Sequence, residues 1–298
     1  MNWIAATIIA AFFQNLRFSL QKNLNKSIST VASTYVRFIF ALPFAAILFF
    51  YFFSDFDLIK SFLENDKFMI FAILASVTQI IFTFFLLYLF QFSNFVIGTS
   101  LSKTEVIQIV LLEFLILGDK LSPIVVMGIL ISTIGIIIFS VKDVKLFFKG
   151  LTSKTTLVGL LSGFLLGLSV VLFRGAALSL DNIQSNFDKA LITLFFGLCI
   201  QSLILTVYLV IFEKKQFKKL SQNKFQCLSA GLCGFFATLS WFYAFTLIQG
   251  SMVRAIGQIE LLFSYFSSKY FFKEKTNKIE LFGILVFVSG VIIILLNR

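Results

Sequence analysis

Apolar residues along this chain neither alternate nor keep to one helical stripe. They form ten nearly continuous runs, at 3–21, 32–53, 68–91, 95–117, 122–140, 156–178, 188–212, 226–247, 251–272 and 277–296. A hydrocarbon core of ~30 Å takes about 20 residues of helix to cross, so each run predicts a membrane-crossing helix. The runs are too long for barrel strands and lack the period-two alternation that such strands need. Only a few residues follow the third and eighth runs, which predicts tight helical hairpins there.

The second five runs repeat the first five. Adding 155 turns Tyr88 into Tyr243, Phe90 into Phe245, Glu105 into Glu260 and Asp119 into Glu274. The same offset turns Lys120, Gly128 and Gly135 into Lys275, Gly283 and Gly290. An odd number of spans per copy forces the second copy to insert upside down, which is the inverted-repeat construction of secondary transporters. The expected architecture is an all-α integral membrane protein of ten transmembrane helices in two inverted five-helix repeats. These are residues 1–140 and 156–298, joined by a basic linker, 141–155, that carries four Lys.

Composition narrows the class. At 59% hydrophobic and 13% charged, the chain lacks the polar covering of a soluble domain. The 42 Phe, beside abundant Ile, Lys and Asn, read as the codon bias of an AT-rich genome rather than as aromatic chemistry. There is no His, and Cys199, Cys227 and Cys233 lie in apolar runs without a C-x-x-C pair. No metal, cofactor or disulfide framework is therefore expected. An integral membrane enzyme is a distant reading, because no juxtamembrane His, Asp or Cys cluster is visible. No Gly-rich phosphate loop suggests ATP coupling, and no repeated ring of filter groups suggests a channel. The N-terminus lacks a basic n-region and reads as a retained first helix.

The net charge of +11 sits mostly in loops, which fits the positive-inside effect better than a nucleic-acid partner. Fourteen basic residues fall on the side bearing the 1–2, 3–4, 5–6, 7–8 and 9–10 loops. Five fall on the side of the termini: Lys60, Lys67, Lys120, Lys189 and Arg298. This places both termini outside the cytoplasm, in an inner or plasma membrane. Gly159, Gly163 and Gly167 on span 6, and Gly128, Gly135, Gly283 and Gly290 on spans 5 and 10, mark close helix approaches. They serve packing within the bundle or dimerisation, so monomer and homodimer both stay open.

Ionisable residues inside spans are costly, and they face protein or water rather than lipid. They are Arg17, Arg37, Lys103, Glu105, Glu113, Arg174, Arg254 and Glu260. Glu105 and Glu260 are repeat mates near mid-span, where an inverted repeat places its substrate site; a hydrogen-bonded structural role is the alternative. Lys103 and Thr99 form a second stripe, mated by Gln258 and Arg254. Two residues along a helix turn about 200°, so only one of the stripes is expected to line the pathway. Arg17 and Arg174 are approximate mates at opposite membrane faces, and Arg37 should share the depth of Arg17. All three either snorkel or form cationic vestibules suited to a carboxylate or phosphate. Uncharged candidates are Gln14, Asn15, Gln79, Thr83, Gln201, Thr238, Trp241 and Tyr243, with Tyr88 and Tyr243 equally suited to interfacial anchoring.

The pattern resembles the drug/metabolite transporter superfamily in its EamA branch, over the whole chain. It is carried by a mid-membrane Glu followed fourteen residues later by an acidic turn and a Gly-bearing helix. Here that reads "EVIQIVLLEFLILGDKLS" and "ELLFSYFSSKYFFKEK". The Pro that often follows this Glu is Val106 and Leu261 here, and the second turn, Phe272-Lys273-Glu274, lacks its Gly. The resemblance implies a central cavity between spans 1–4 and 6–9, peripheral spans 5 and 10, alternating access, and cytoplasmic termini. The Lys distribution is preferred over that last implication. The expected function is a carrier of a small polar metabolite, an amino acid or related carboxylate, because five cations oppose three carboxylates within the spans. A carrier of organic cations or drugs, of the quaternary-amine or polyamine kind, is the alternative. The lipid bilayer and a small-molecule substrate are the expected partners, and a coupling proton or ion stays open.

Overall fold

The structure is a computed structural model, and it describes residues 2–89, 101–140, 153–263, 265 and 278–297. Every regular element among these residues is helical. Eight helices are long and apolar enough to cross a membrane: Asn2–Leu24, Thr30–Phe52, Asp66–Leu89, Pro123–Ser140, Lys154–Leu178, Asn186–Phe212, Lys224–Leu247 and Ile279–Leu296. The expected spans 95–117 and 251–272 run partly through 90–100 and 266–277, outside the described residues. The basic linker from 141 to 152 and the turn at Glu274 also lie outside them.

Numbered along the chain, α1 is Asn2–Leu24. The second span is two helices, α2 (Thr30–Ile39) and α3 (Leu42–Phe52). Pro43, in the first turn of α3, has no N–H to give to the carbonyl four residues back, Ile39, and its ring crowds that carbonyl. The chain therefore stops at Phe40 and Ala41 and starts again. Next come α4 (Phe56–Leu63), α5 (Asp66–Leu89), α6 (Glu105–Leu112, continued by a π-turn Glu113–Leu117) and α7 (Pro123–Ser140). The second half holds α8 (Lys154–Leu178), α9 (Asn186–Phe212), α10 (Gln216–Gln222), α11 (Lys224–Leu247), α12 (Gly250–Gly257) and α13 (Lys278–Leu296).

The short helices α4 and α10 were absent from the hydropathy reading. They occupy the corresponding loop of each half, after the second and the seventh span. At two turns they are too short to form an apolar run.

Packing is inside-out relative to a soluble protein. Ile47, Tyr51, Leu203 and Phe212 are 72%, 80%, 67% and 69% exposed, while Arg17, Glu105, Glu113 and Gln201 are buried. An apolar belt around a polar interior is what a bilayer solvent selects. Within the bundle α1 packs against α11, and α8 against α5. The glycines explain the closest pair, α7 and α13. A Cβ on Gly135 would sit 2.3 Å from the Phe287 nitrogen and 2.9 Å from the Gly283 oxygen. A Cβ on Gly290 would sit 2.7 Å from the Gly128 oxygen. All four glycines of this stripe are thus used inside the chain, which removes them as a dimer surface. Gly163 and Gly167 serve likewise: their faces meet the Ser102 oxygen and the side chain of Ile109.

Candidate functional site

Spans 4 and 9 are each interrupted at the same repeat position, Lys103-Thr104 and Gln258-Ile259. The turns tighten to i→i−3 bonding in matched pairs. Thr104 N–H donates to Leu101 O and Ile107 N–H to Thr104 O, both at 3.1 Å. Their mates are Ile259 N–H to Ile256 O at 3.0 Å and Leu262 N–H to Ile259 O at 2.9 Å. Proline is not needed. In the first copy the Thr104 hydroxyl bonds back to Leu101 O at 2.7 Å, a contact that bends helices. In the second, Gly257 precedes the break and yields its Cβ space to Trp241, whose ring atom lies 2.2 Å from where that carbon would be.

The break overturns the expectation that the two polar stripes face apart. With the regular helix interrupted between residues 103 and 105, the 100° step no longer holds, and both Lys103 and Glu105 line one cavity. Ion pairs cross between the halves. Lys103 pairs with Glu260, and the Arg254 guanidinium pairs with Glu105, with Nε at 3.0 Å. Gln258 Nε2 donates to Glu105 at 3.4 Å. Glu105 also opens α6, where the helix dipole favours a negative charge.

Around these pairs lies a cavity of about 350 Å³ reaching from Arg254 and Glu105 to Phe18 and Lys22 near the end of α1. Gln14 and Asn15 also border it. Gln14 is the hub: its Nε2 donates to Glu260, and its Oε1 accepts from Trp241 Nε1 at 3.0 Å. The Arg254 guanidinium stacks 4.6 Å over the Trp241 ring. Beyond Gln14 a much smaller space, about 20 Å³, is bordered by Arg37, Gln79, Thr238 and Trp241. There Arg37 Nη1 donates to Thr83 Oγ1 at 2.7 Å, and Gln201 Nε2 donates to Gln79 Oε1 at 2.8 Å. The cations Lys22, Lys103 and Arg254 thus border the larger cavity with Glu105 and Glu260, Arg37 borders the smaller space, and Arg17 is buried behind them.

Tyr243 and Arg174 lie apart from this network. Tyr243 packs edge-on to Phe187, with ring centroids 6.4 Å apart, away from both spaces. Arg174 forms no vestibule and does not snorkel. It pairs with Asp119, approaches Glu113 at 3.9 Å, and donates through Nε to Phe245 O at 3.1 Å and Ile248 O at 3.2 Å. Glu113, an in-span acid with no role assigned above, caps α12 from another span. It accepts from Gly250 N at 2.6 Å, Ser251 N at 3.1 Å and Ser251 Oγ at 2.6 Å. The available signal was an uncapped helix start at Gln249-Gly250 facing a buried acid. Gly118 ends the π-turn at φ 73°, a left-handed conformation suited to glycine, and so turns the chain toward Asp119 and its contact with Arg174.

A multi-pass helical bundle with a charged cavity at paired helix breaks belongs to the membrane-transporter class. The chain belongs to the EamA-like transporter family, which matches residues 1–141 and 154–296. It is a membrane transporter, in keeping with the drug/metabolite superfamily pattern of its sequence. Among solved structures, a protein described only as "Crystal structure of protein" is similar in fold at a TM-score of 0.74. The two share 11% identity over 99% of this chain and 97% of that one. No curated protein matches the chain in sequence.

Proposed function

We propose that the chain is a secondary carrier of an amino acid or related small carboxylate. It works by alternating access between two inverted five-helix halves, 1–140 and 156–298. The observation carrying this reading is the pair of cross-half ion pairs at matched helix breaks. Discontinuous helices at mid-membrane are where such carriers bind substrate. The inverted relation draws support from the glycine contacts. Gly128 meets Gly290 and Gly135 meets Gly283, and the offset of 155 exchanges these two contacts. The helices are antiparallel mates, so the axis relating them runs across them, in the membrane plane.

Alternating access draws support from the unequal ends of the bundle. The cavity reaches Lys22 on the basic-loop side, while Glu113, Asp119 and Arg174 lock spans 4, 6, 8 and 9 on the side of the termini. With the basic loops in the cytoplasm of a cell or inner membrane, this is an inward-open state. The carboxylate reading rests on the positive excess of the interior, where Lys22, Lys103, Arg254, Arg37 and Arg17 outnumber Glu105 and Glu260. Both carboxylates there already hold a cation, which leaves organic-cation transport with less support.

Purified protein melted against amino acids, organic acids and quaternary amines tests the substrate class, because a ligand that prefers the native state stabilises it. Amino or organic acids should raise the melting temperature and exchange across proteoliposomes. Stabilisation by amines alone would reverse the assignment.

A further inference from the structure

Two cations in the interior have no counter-ion within ion-pair distance among the described residues. Arg17 is 1% exposed, and its Nε and Nη1 find no hydrogen-bond partner. Arg37 is 6% exposed, and its Nε finds none. Both pack on α11: a Cβ on Gly234 would stand 3.4 Å from Arg17 Cδ and 3.2 Å from the Arg37 backbone oxygen. Arg37 lies within Coulombic range of the cations Arg17 and Arg254, and Arg17 within that of Glu260 and Arg254. Burying a guanidinium without a counter-ion is among the least favourable arrangements a protein interior can hold. Arg17 and Arg37 lie over the rings of Phe18 and Phe38, 4.7 and 5.2 Å away, but only Arg254 and Arg174 also face carboxylates at ion-pair distance among the described residues.

We propose that Arg37, backed by Arg17, is an anion subsite that takes the carboxylate of the transported molecule. It lies one layer deeper than the open cavity. Gln14, Phe82, Leu166 and Arg254 border both spaces, so a ligand standing in the larger one can reach the smaller past Gln14. The inner space, about 20 Å³, has room for about one water-sized group, so it takes a single carboxylate oxygen and not a phosphate with its ester. Thr83 fixes Arg37 through Nη1 and leaves Nε without a partner. The remainder of the molecule stays beside Lys103, Glu260 and Glu105. This inference rests on reading the cavity as a substrate site, and it adds the place and chemical class of the anchoring group.

The test compares wild type with Arg17→Gln, Arg37→Gln and Arg37→Lys in detergent, melted against acetate, inorganic phosphate and tetramethylammonium at constant ionic strength. Wild type should be stabilised by acetate more than by phosphate, and not by tetramethylammonium. Each Gln variant should weaken apparent acetate affinity roughly 10-fold or more, the worth of a charged hydrogen bond. Without ligand, each should melt at or above wild type, because an unpaired buried charge is gone. Arg37→Lys should retain part of the acetate response, since it keeps the charge and loses the planar fork. An unchanged acetate response in both Gln variants overturns the subsite and leaves the carrier reading standing. A Gln variant that does not fold, or melts well below wild type without ligand, makes the arginine structural and also overturns it. Phosphate stabilising more than acetate overturns the carboxylate assignment, and no anion response in wild type overturns both readings together.

Discussion

The two ends of the bundle treat buried charge in opposite ways. On the side of the termini, Glu113 accepts three hydrogen bonds at the start of α12, and Arg174 meets Asp119 and two carbonyl oxygens. Among the described residues, none of these three side chains keeps a buried polar atom without a partner. On the basic-loop side, two ion pairs border an open cavity, and two arginines keep nitrogens without partners. A saturated network resists opening, whereas an unsaturated one is completed only by something from outside. On the proposed reading, the contrast separates charges that hold the fold from charges that wait for substrate.

The largest expected effect is at the saturated end. Glu113→Ala removes a buried acceptor of three bonds and leaves Arg174 with one carboxylate fewer, so stability should fall by about 3–5 kcal/mol. Chemical denaturation in mixed micelles measures it. A loss no larger than that of an exposed charge would end the distinction between the two ends.

Glu105→Gln and Glu260→Gln should fold and yet slow transport by about 10-fold or more in at least one case, because an ionised carboxylate at mid-membrane interacts strongly with any cation or coupling proton. Counterflow in proteoliposomes between pH 5.5 and 8 reads the rate. Wild-type rates for both would make these carboxylates structural, like Glu113.

Gly118→Ala isolates backbone conformation from packing, since nothing lies within 4 Å of the added carbon. A left-handed φ of 73° should cost Ala about 1 kcal/mol. Gly118→Asn, with its tolerance of that conformation, should recover part of it. Equal stability of all three would remove backbone strain as the reason for the glycine.

The smallest effect sets the baseline. Lys60 and Glu64 are a one-turn pair on α4 at 3.5 Å, with side chains 60% and 66% exposed. Glu64→Gln should change stability by less than about 0.5 kcal/mol. A measured change near that of Glu113→Ala would show that neither burial nor partner count governs the comparison.

What the sequence determined by itself is what each residue reports about its own average surroundings. Continuous apolar runs required helices in a bilayer, because unsatisfied backbone is not tolerated there. The constant offset of 155 tied Glu105 to Glu260 and Gly128 to Gly283, and the buried charges stood out as few and costly. Tertiary structure alone decided who meets whom. Lys103 holds Glu260, 157 positions away, and Arg254 holds Glu105, 149 positions away; no local period encodes such separations. The breaks at Lys103-Thr104 and Gln258-Ile259 were hidden because the proline that would have announced them is missing, and a threonine back-bond and a ring pressed on Gly257 do the bending instead. Arg17 and Arg174 looked alike in sequence, each about a turn from a span end. Only the neighbouring helices set them apart: α6 and its turn bring Asp119 and Glu113 to Arg174, while no described residue brings a carboxylate to within ion-pair distance of Arg17.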